Sequence, residues 1–164
     1  MLLYLVRHGI AIDREDPNCP VEAERHLTPK GVERTREVAS GLAAMGIKPR
    51  AALSSPYLRA LQTAEIVCEA LGISPAKLKR TPALLPEAPA AELFRELKKV
   101  HAEEVICFGH APNLDMVIAL ALGAAHPVTE LKKAGVACVE LASPAAGHGA
   151  LQWVLTPKIL RKVE

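Results

Sequence analysis

Two short stretches of the chain, Leu2 to Val6 and Val105 to Phe108, are apolar at every position, with no alternation of inward and outward residues. A strand with one face in water shows a period of two, whereas an unbroken apolar strand needs cover on both faces, as in the parallel sheet of an α/β domain. The flanking segments carry helical signals. Thr28 and Pro29 read as an N-cap followed by proline at the first helical position, and Val32, Ala39, Leu42 and Met45 follow at helical spacing until Gly46. After a short run at Ala51 to Ser54, Ser55 and Pro56 repeat that start signal, and Tyr57, Leu61, Ala64, Cys68 and Leu71 form one stripe up to Gly72. A third amphipathic stretch covers about Ala90 to Val100 with Leu93, Leu97 and Val100 inward; a fourth, from Pro112 to Leu122, is apolar nearly all round. Val136 to Leu141 and Leu151 to Leu155, separated by Ser143, Pro144, Gly147 and Gly149, predict an antiparallel hairpin at the sheet edge. The expected fold class is α/β, three layers (α/β/α), with a mostly parallel central sheet and an antiparallel edge.

With 164 residues, 50% of them hydrophobic, the chain can fill one ordinary core, so a single domain spanning 1–164 is expected. A formal net charge of +2 gives no global basic field, which argues against nucleic acid as partner and leaves anion recognition to a few local side chains. The run Leu2 to Val6 is too short for a signal sequence or a membrane span, so a cytoplasmic protein with no membrane partner is expected. Cys19, Cys68, Cys107 and Cys138 lie far apart without zinc-site spacing and read as reduced thiols, Cys107 and Cys138 as core residues.

In open α/β sheets, ligands bind beyond the carboxyl ends of the strands. The first apolar run leads into Arg7, His8 and Gly9; the run at Ala51 is followed by Ser55, Pro56, Tyr57, Leu58 and Arg59; Val105 to Phe108 leads into Gly109, His110, Ala111 and Pro112. Two histidines and two arginines are thereby expected at one edge. Guanidinium forks that keep their charge suit a phosphoryl group, one neutral imidazole can serve as nucleophile, and the other can donate to a phosphoryl oxygen. These groups, with helix N-termini near Ser55 and Pro112, make an apparatus that requires no metal and no cofactor. The residues alone leave open which histidine attacks. His101, His126 and His148, and the basic runs Lys77, Lys79, Arg80 and Lys158 to Lys162, read as solvated surface, and Trp153 as a packed strand residue.

Leu5 to Gly9, Leu27 to Gly31, Ser55 to Ala64 and Gly109 to Pro112 resemble, in order and spacing, the successive motifs of the histidine phosphatase (phosphoglycerate mutase-like) superfamily. The short length, Leu85 to Glu87 and the closing Leu151 to Pro157 look most like its SixA-type phosphohistidine phosphatases, and the resemblance spans nearly the whole chain. It implies a phosphoglycerate mutase-like fold, His8 as nucleophile and transient phosphoryl carrier, and Arg7, Arg59 and His110 as the phosphate pocket. Ala111, where many relatives have asparagine, and His26, where short members often have proline, depart from the pattern at the rim.

The polar loop from Asp13 to His26 and the proline-rich stretch from Thr81 to Pro89 read as surface connections; the resemblance suggests Glu87, in the second, as general acid for an ester leaving group, and Arg25, in the first, is a candidate substrate contact by its position. With little room for a roofing insertion between Arg80 and Val105, the site is expected to be open and to suit a protein. The expected activity is therefore hydrolysis of phosphohistidine on a protein such as a histidine phosphotransfer domain, by a monomer. The alternatives are a small phosphate ester or phosphosugar as substrate, or a module that binds phosphoproteins without turnover; a mutase would need an enclosed site.

Overall fold

The computed structural model describes residues 1–164. Six strands form one sheet: β1 (Leu2–Arg7), β2 (Ala51–Ser54), β3 (Leu78–Arg80), β4 (Glu104–Gly109), β5 (Val136–Leu141) and β6 (Gly149–Leu155). Their order across the sheet is β3-β2-β4-β1-β5-β6. The first four run parallel, β5 is antiparallel to β1, and β6 is antiparallel to β5. The expected α/β architecture is therefore present, with β1 and β4 at its centre.

The unalternating strands are explained by cover on both sides. Leu3, Leu5, Val105 and Cys107 face a core shared with α3 (Ala90–Leu97) and α4 (Asn113–Ala121), through Leu93, Leu97, Leu114, Val117 and Ile118. Tyr4, Val6, Ile106 and Phe108 face the opposite core, filled from α1 (Pro29–Ala44), α2 (Leu58–Ala70) and α5 (Pro157–Leu160) by Val38, Leu42, Ala64, Val67 and Leu160. Burying a side chain of the Val, Leu or Phe class contributes about 1.5–3 kcal/mol, so these two layers dominate the fold's stability. Cys68, Cys107 and Cys138 are buried and all four cysteines are free thiols. No helix is long and apolar enough to cross a membrane.

Local signals held to different degrees. Thr28 is the N-cap of α1, its hydroxyl accepting from the Gly31 N–H at 3.0 Å with Pro29 at the first helical position, and Gly46 follows the helix at φ 72°. The Ser55 and Pro56 signal points two residues too early: the Ser55 hydroxyl accepts from the Tyr57 N–H at 3.3 Å in a short turn, and α2 begins only at Leu58. Helix α3 stops at Leu97 rather than near Val100. The proline-rich segment 81–89 is not all surface, since a single turn at Pro82–Leu84 sinks Ala83 and Leu84 into the core.

Candidate active site

Sheet register brings the candidate residues together. Arg7 pairs with Gly109 and Ser54 with Phe108, so the residues just past β1, β4 and β2 emerge side by side. Two further bonds lock this edge: the His8 N–H donates to the Gly109 carbonyl at 3.0 Å and the Ser55 N–H to the Phe108 carbonyl at 2.9 Å. The His8 and His110 rings lie 5.1 Å apart between centroids.

His8 is 7% exposed, and its Nδ1 stands 2.7 Å from the Gly9 carbonyl oxygen. A carbonyl only accepts, so Nδ1 carries the proton and the lone pair is on Nε2. Arg59 reaches that nitrogen, its Nε–H donating to His8 Nε2 at 3.3 Å. Burial lowers the His8 pKa to about 3, with the charges of Arg59 and Arg7 acting in the same direction and the Gly9 hydrogen bond opposing them. His110 is lowered to about 2, again first by burial and then by the charges of His8 and Arg59. Both rings are therefore neutral at physiological pH.

His110 Nε2 is 2.8 Å from the Ser55 hydroxyl, while its Nδ1 is buried without a partner. Arg7 holds the Leu131 carbonyl through Nη1 at 2.6 Å, and its Nε–H is likewise buried and unpartnered. Orphaned buried polar groups cost about 1–3 kcal/mol each, so two at one edge mark a place prepared for something else to bind.

Three contributors were not singled out in the sequence. Thr63 ties the His8 turn to α2, accepting from the Gly9 N–H at 3.0 Å while donating to the Arg59 carbonyl at 2.7 Å. Tyr57, read as a member of the helical stripe, instead stands before α2 with its ring edge-on to His110 at 5.4 Å and under the Arg59 guanidinium at 5.1 Å. Glu22, on a single turn at Glu22–Glu24 in the polar loop, binds Arg59 through both its carboxylate (2.8 Å) and its main-chain carbonyl (2.9 Å). It also pairs with Arg14 and Arg25. Its pKa falls to about 2, chiefly through the Arg14 hydrogen bond, with Arg59 and Arg25 adding their charges against the effect of burial.

The two accessory candidates are placed differently from the central four. Arg25, expected at the substrate, has Nε and Nη2 on the Ile12 carbonyl (3.1 and 2.8 Å) and Nη1 on Glu22 (3.2 Å), so here it braces the loop. Glu87 is exposed beside a shallow groove of about 320 Å³ shared with Pro112 and Asn113, the residues that follow His110. Its segment is tethered to α4 by Asn113, whose Nδ2 donates to the Ala88 carbonyl at 2.8 Å.

Known proteins resemble this chain in both sequence and fold. Residues 3–84 match the model of the histidine phosphatase superfamily, branch 1. An uncharacterized protein of Picosynechococcus is 38% identical over 141 residues, 83% of this chain and 82% of the relative. The Escherichia coli phosphohistidine phosphatase SixA is 27% identical over 162 residues, 96% of this chain and 94% of the relative. Among solved structures, the protein histidine phosphatase SixA complexed with tungstate superimposes with a TM-score of 0.86 at 25% identity, covering 98% of this chain and 99% of the other. With its paired histidines at the end of β1 and β4 and its phosphoglycerate mutase-like sheet, the chain belongs to the histidine phosphatase superfamily.

Proposed function

We propose that this protein is a phosphohistidine phosphatase acting on a protein, with His8 carrying the phosphoryl group between substrate and water. The observation that supports it most directly is the lone pair of His8 Nε2, oriented by the Gly9 carbonyl and met by the Arg59 Nε–H at 3.3 Å, at an edge that also holds the unpartnered Arg7 Nε–H and His110 Nδ1. A tetrahedral oxyanion occupying that space would satisfy both, and tungstate, which the solved SixA structure holds, is such an anion.

In the first step His8 Nε2 attacks phosphorus, forming an N–P bond as the substrate's N–P bond breaks. The leaving imidazole, protonated on its other nitrogen, departs neutral. Bonds of one kind are exchanged, so little acid catalysis is needed. As the His8 Nε2 lone pair attacks, the Arg59 Nε–H that it accepts in the free protein turns to a phosphoryl oxygen; Arg7 holds the other equatorial oxygens, and His110 donates from Nδ1 when the Ser55 hydroxyl donates to its Nε2. Water then attacks the phosphorylated His8, releasing phosphate and restoring the neutral imidazole. Positive charge in this scheme comes from the two arginines, and activity should survive chelators. We further infer a single-domain monomer in a reducing cytoplasm, where its free thiols would persist.

Phosphate esters form the second reading, favoured by the position of Glu87 next to the segment after His110, where a carboxylic acid could protonate an alkoxide. Rates on an isolated phosphohistidine protein and on p-nitrophenyl phosphate, for wild type and Glu87→Gln, separate the two. Fast protein dephosphorylation insensitive to the substitution supports the first reading; strong ester turnover that collapses in the variant replaces it with the second.

A further inference from the structure

A cavity of about 500 Å³ opens outside the catalytic cluster, bordered by Ile10 and by five cations: Arg34, Lys132, Lys133, Lys158 and Arg161. The chain has 20 Lys and Arg against 18 Asp and Glu, so five of the 20 converge on one concavity of a nearly neutral molecule. Counter-charge is sparse. Arg161 pairs with Glu37 at 3.0 Å and Lys132 with Glu130 at 2.7 Å, while Arg34, Lys133 and Lys158 have no carboxylate within 4.0 Å.

One turn joins this cavity to the active site. The Leu131 carbonyl holds Arg7 Nη1, the Ala134 N–H donates to the carbonyls of both Arg7 and His8 at 3.0 Å, and the Gly135 carbonyl accepts from the Arg7 N–H at 3.1 Å. Ala134 sits at φ 60°, a left-handed conformation rare outside glycine, which these bonds hold in place. The same turn presents Lys132 and Lys133 to the cavity, and the Lys133 charge bears on the His8 proton equilibrium. The spacing between reacting atom and basic cavity is thus fixed by five residues of chain.

We propose that this cavity is a docking site for acidic side chains of the phosphoprotein dephosphorylated at His8. The inference rests on the phosphohistidine-protein reading above and adds the partner's character: carboxylates beside its phosphohistidine. Most of the cations are exposed on flexible stems, which suits a carboxylate-rich surface steering into place more than one tightly held small anion. No aromatic side chain borders the cavity, so the stacking platform that single-stranded nucleic acid uses is missing.

The test uses fluorescein-labelled octaglutamate as binding probe, and the doubly substituted Arg34→Glu, Lys158→Glu protein, which alters neither the turn nor the catalytic cluster. Binding at low salt should weaken at least about tenfold in the variant, and the difference should fade at about 0.5 M salt. KM for a phosphohistidine protein should rise in parallel, with turnover of phosphoramidate unchanged, which also verifies the fold. Octaglutamate binding equal to wild type overturns the proposal, as does tighter binding of oligothymidylate or of inorganic pyrophosphate than of octaglutamate. If octaglutamate binds through Arg34 and Lys158 but no phosphohistidine protein is hydrolysed, the acidic docking site stands and the assigned substrate falls.

Discussion

Arg59 and Glu22 meet twice, the Nη1 donating to the Glu22 main-chain carbonyl at 2.9 Å and the Nη2 to its carboxylate at 2.8 Å. Only 2% of Arg59 is exposed, so this clamp both neutralises a buried charge and leaves Nε directed at His8. Removing one partner of such a pair leaves the other uncompensated, and charge-assisted hydrogen bonds contribute about 1.5–3 kcal/mol. Glu22→Ala should therefore lower kcat/KM about tenfold to a hundredfold, and Glu22→Gln, which keeps a carbonyl acceptor, should lose much less. Steady-state kinetics of both variants on one phosphorylated substrate checks this; equal losses would mean that the carboxylate acts on something other than Arg59.

The two neutral histidines make stability depend on acid. Unfolded, each protonates near pH 6.5; folded, His8 does so only near 3 and His110 near 2. The unfolded chain thus binds more protons below pH 6.5, and stability, complete above that value, is lost as pH falls toward 3 with a slope of up to about 1.4 kcal/mol per pH unit for each histidine. Urea midpoints at pH 7, 6 and 5 should drop in sequence, and His110→Phe should flatten the drop. A midpoint constant across this range would contradict the assigned protonation.

Asp115, 4% exposed, accepts from the Thr129 hydroxyl and the Leu131 N–H, each at 2.9 Å, and Leu131 in turn carries the carbonyl that holds Arg7. Asp115→Ala should cost about 1–3 kcal/mol of stability by stranding buried donors. It should also raise KM several-fold through a loosened Arg7, with kcat less affected. Denaturation curves and kinetics on the same preparation separate these two effects.

His8→Ala should abolish the acid-labile phosphoenzyme and lower kcat at least about 10³-fold. Rapid quench with a labelled phosphodonor reads both; label retained at wild-type level in the variant would move the nucleophile to another residue.

How much of this was legible beforehand follows from the range of the interactions. The unbroken apolar runs announced β1 and β4 because double cover leaves no polar position to place, and Thr28 announced α1 because a cap is a contact between neighbours. Strand β3 was hidden: it has three residues, of which Lys79 and Arg80 are exposed at the sheet edge. Helix α5 is one turn with a single buried residue, Leu160, inside a basic stretch that reads as solvated tail. The four central candidates could be found as residues following strands, whereas Glu22 lies in an aperiodic polar loop, 37 positions from the arginine it clamps. The only available hint was that a buried Arg59 would need an anion. Ser55 shows a different failure: its hydroxyl closes a short turn onto the Tyr57 N–H while also meeting His110, 55 residues away, so the cue marks a turn two residues ahead of the helix.

Gly31 shows a requirement of a different kind. At this point α1 crosses so close to the Ile10 main chain that a Cβ would collide with the Ile10 carbonyl oxygen. Clearance, not reactivity, dictates the residue there. An engineer could exchange every side chain that meets substrate and still inherit this glycine, since the approach of one backbone to another is common property of whatever chemistry the scaffold is asked to perform.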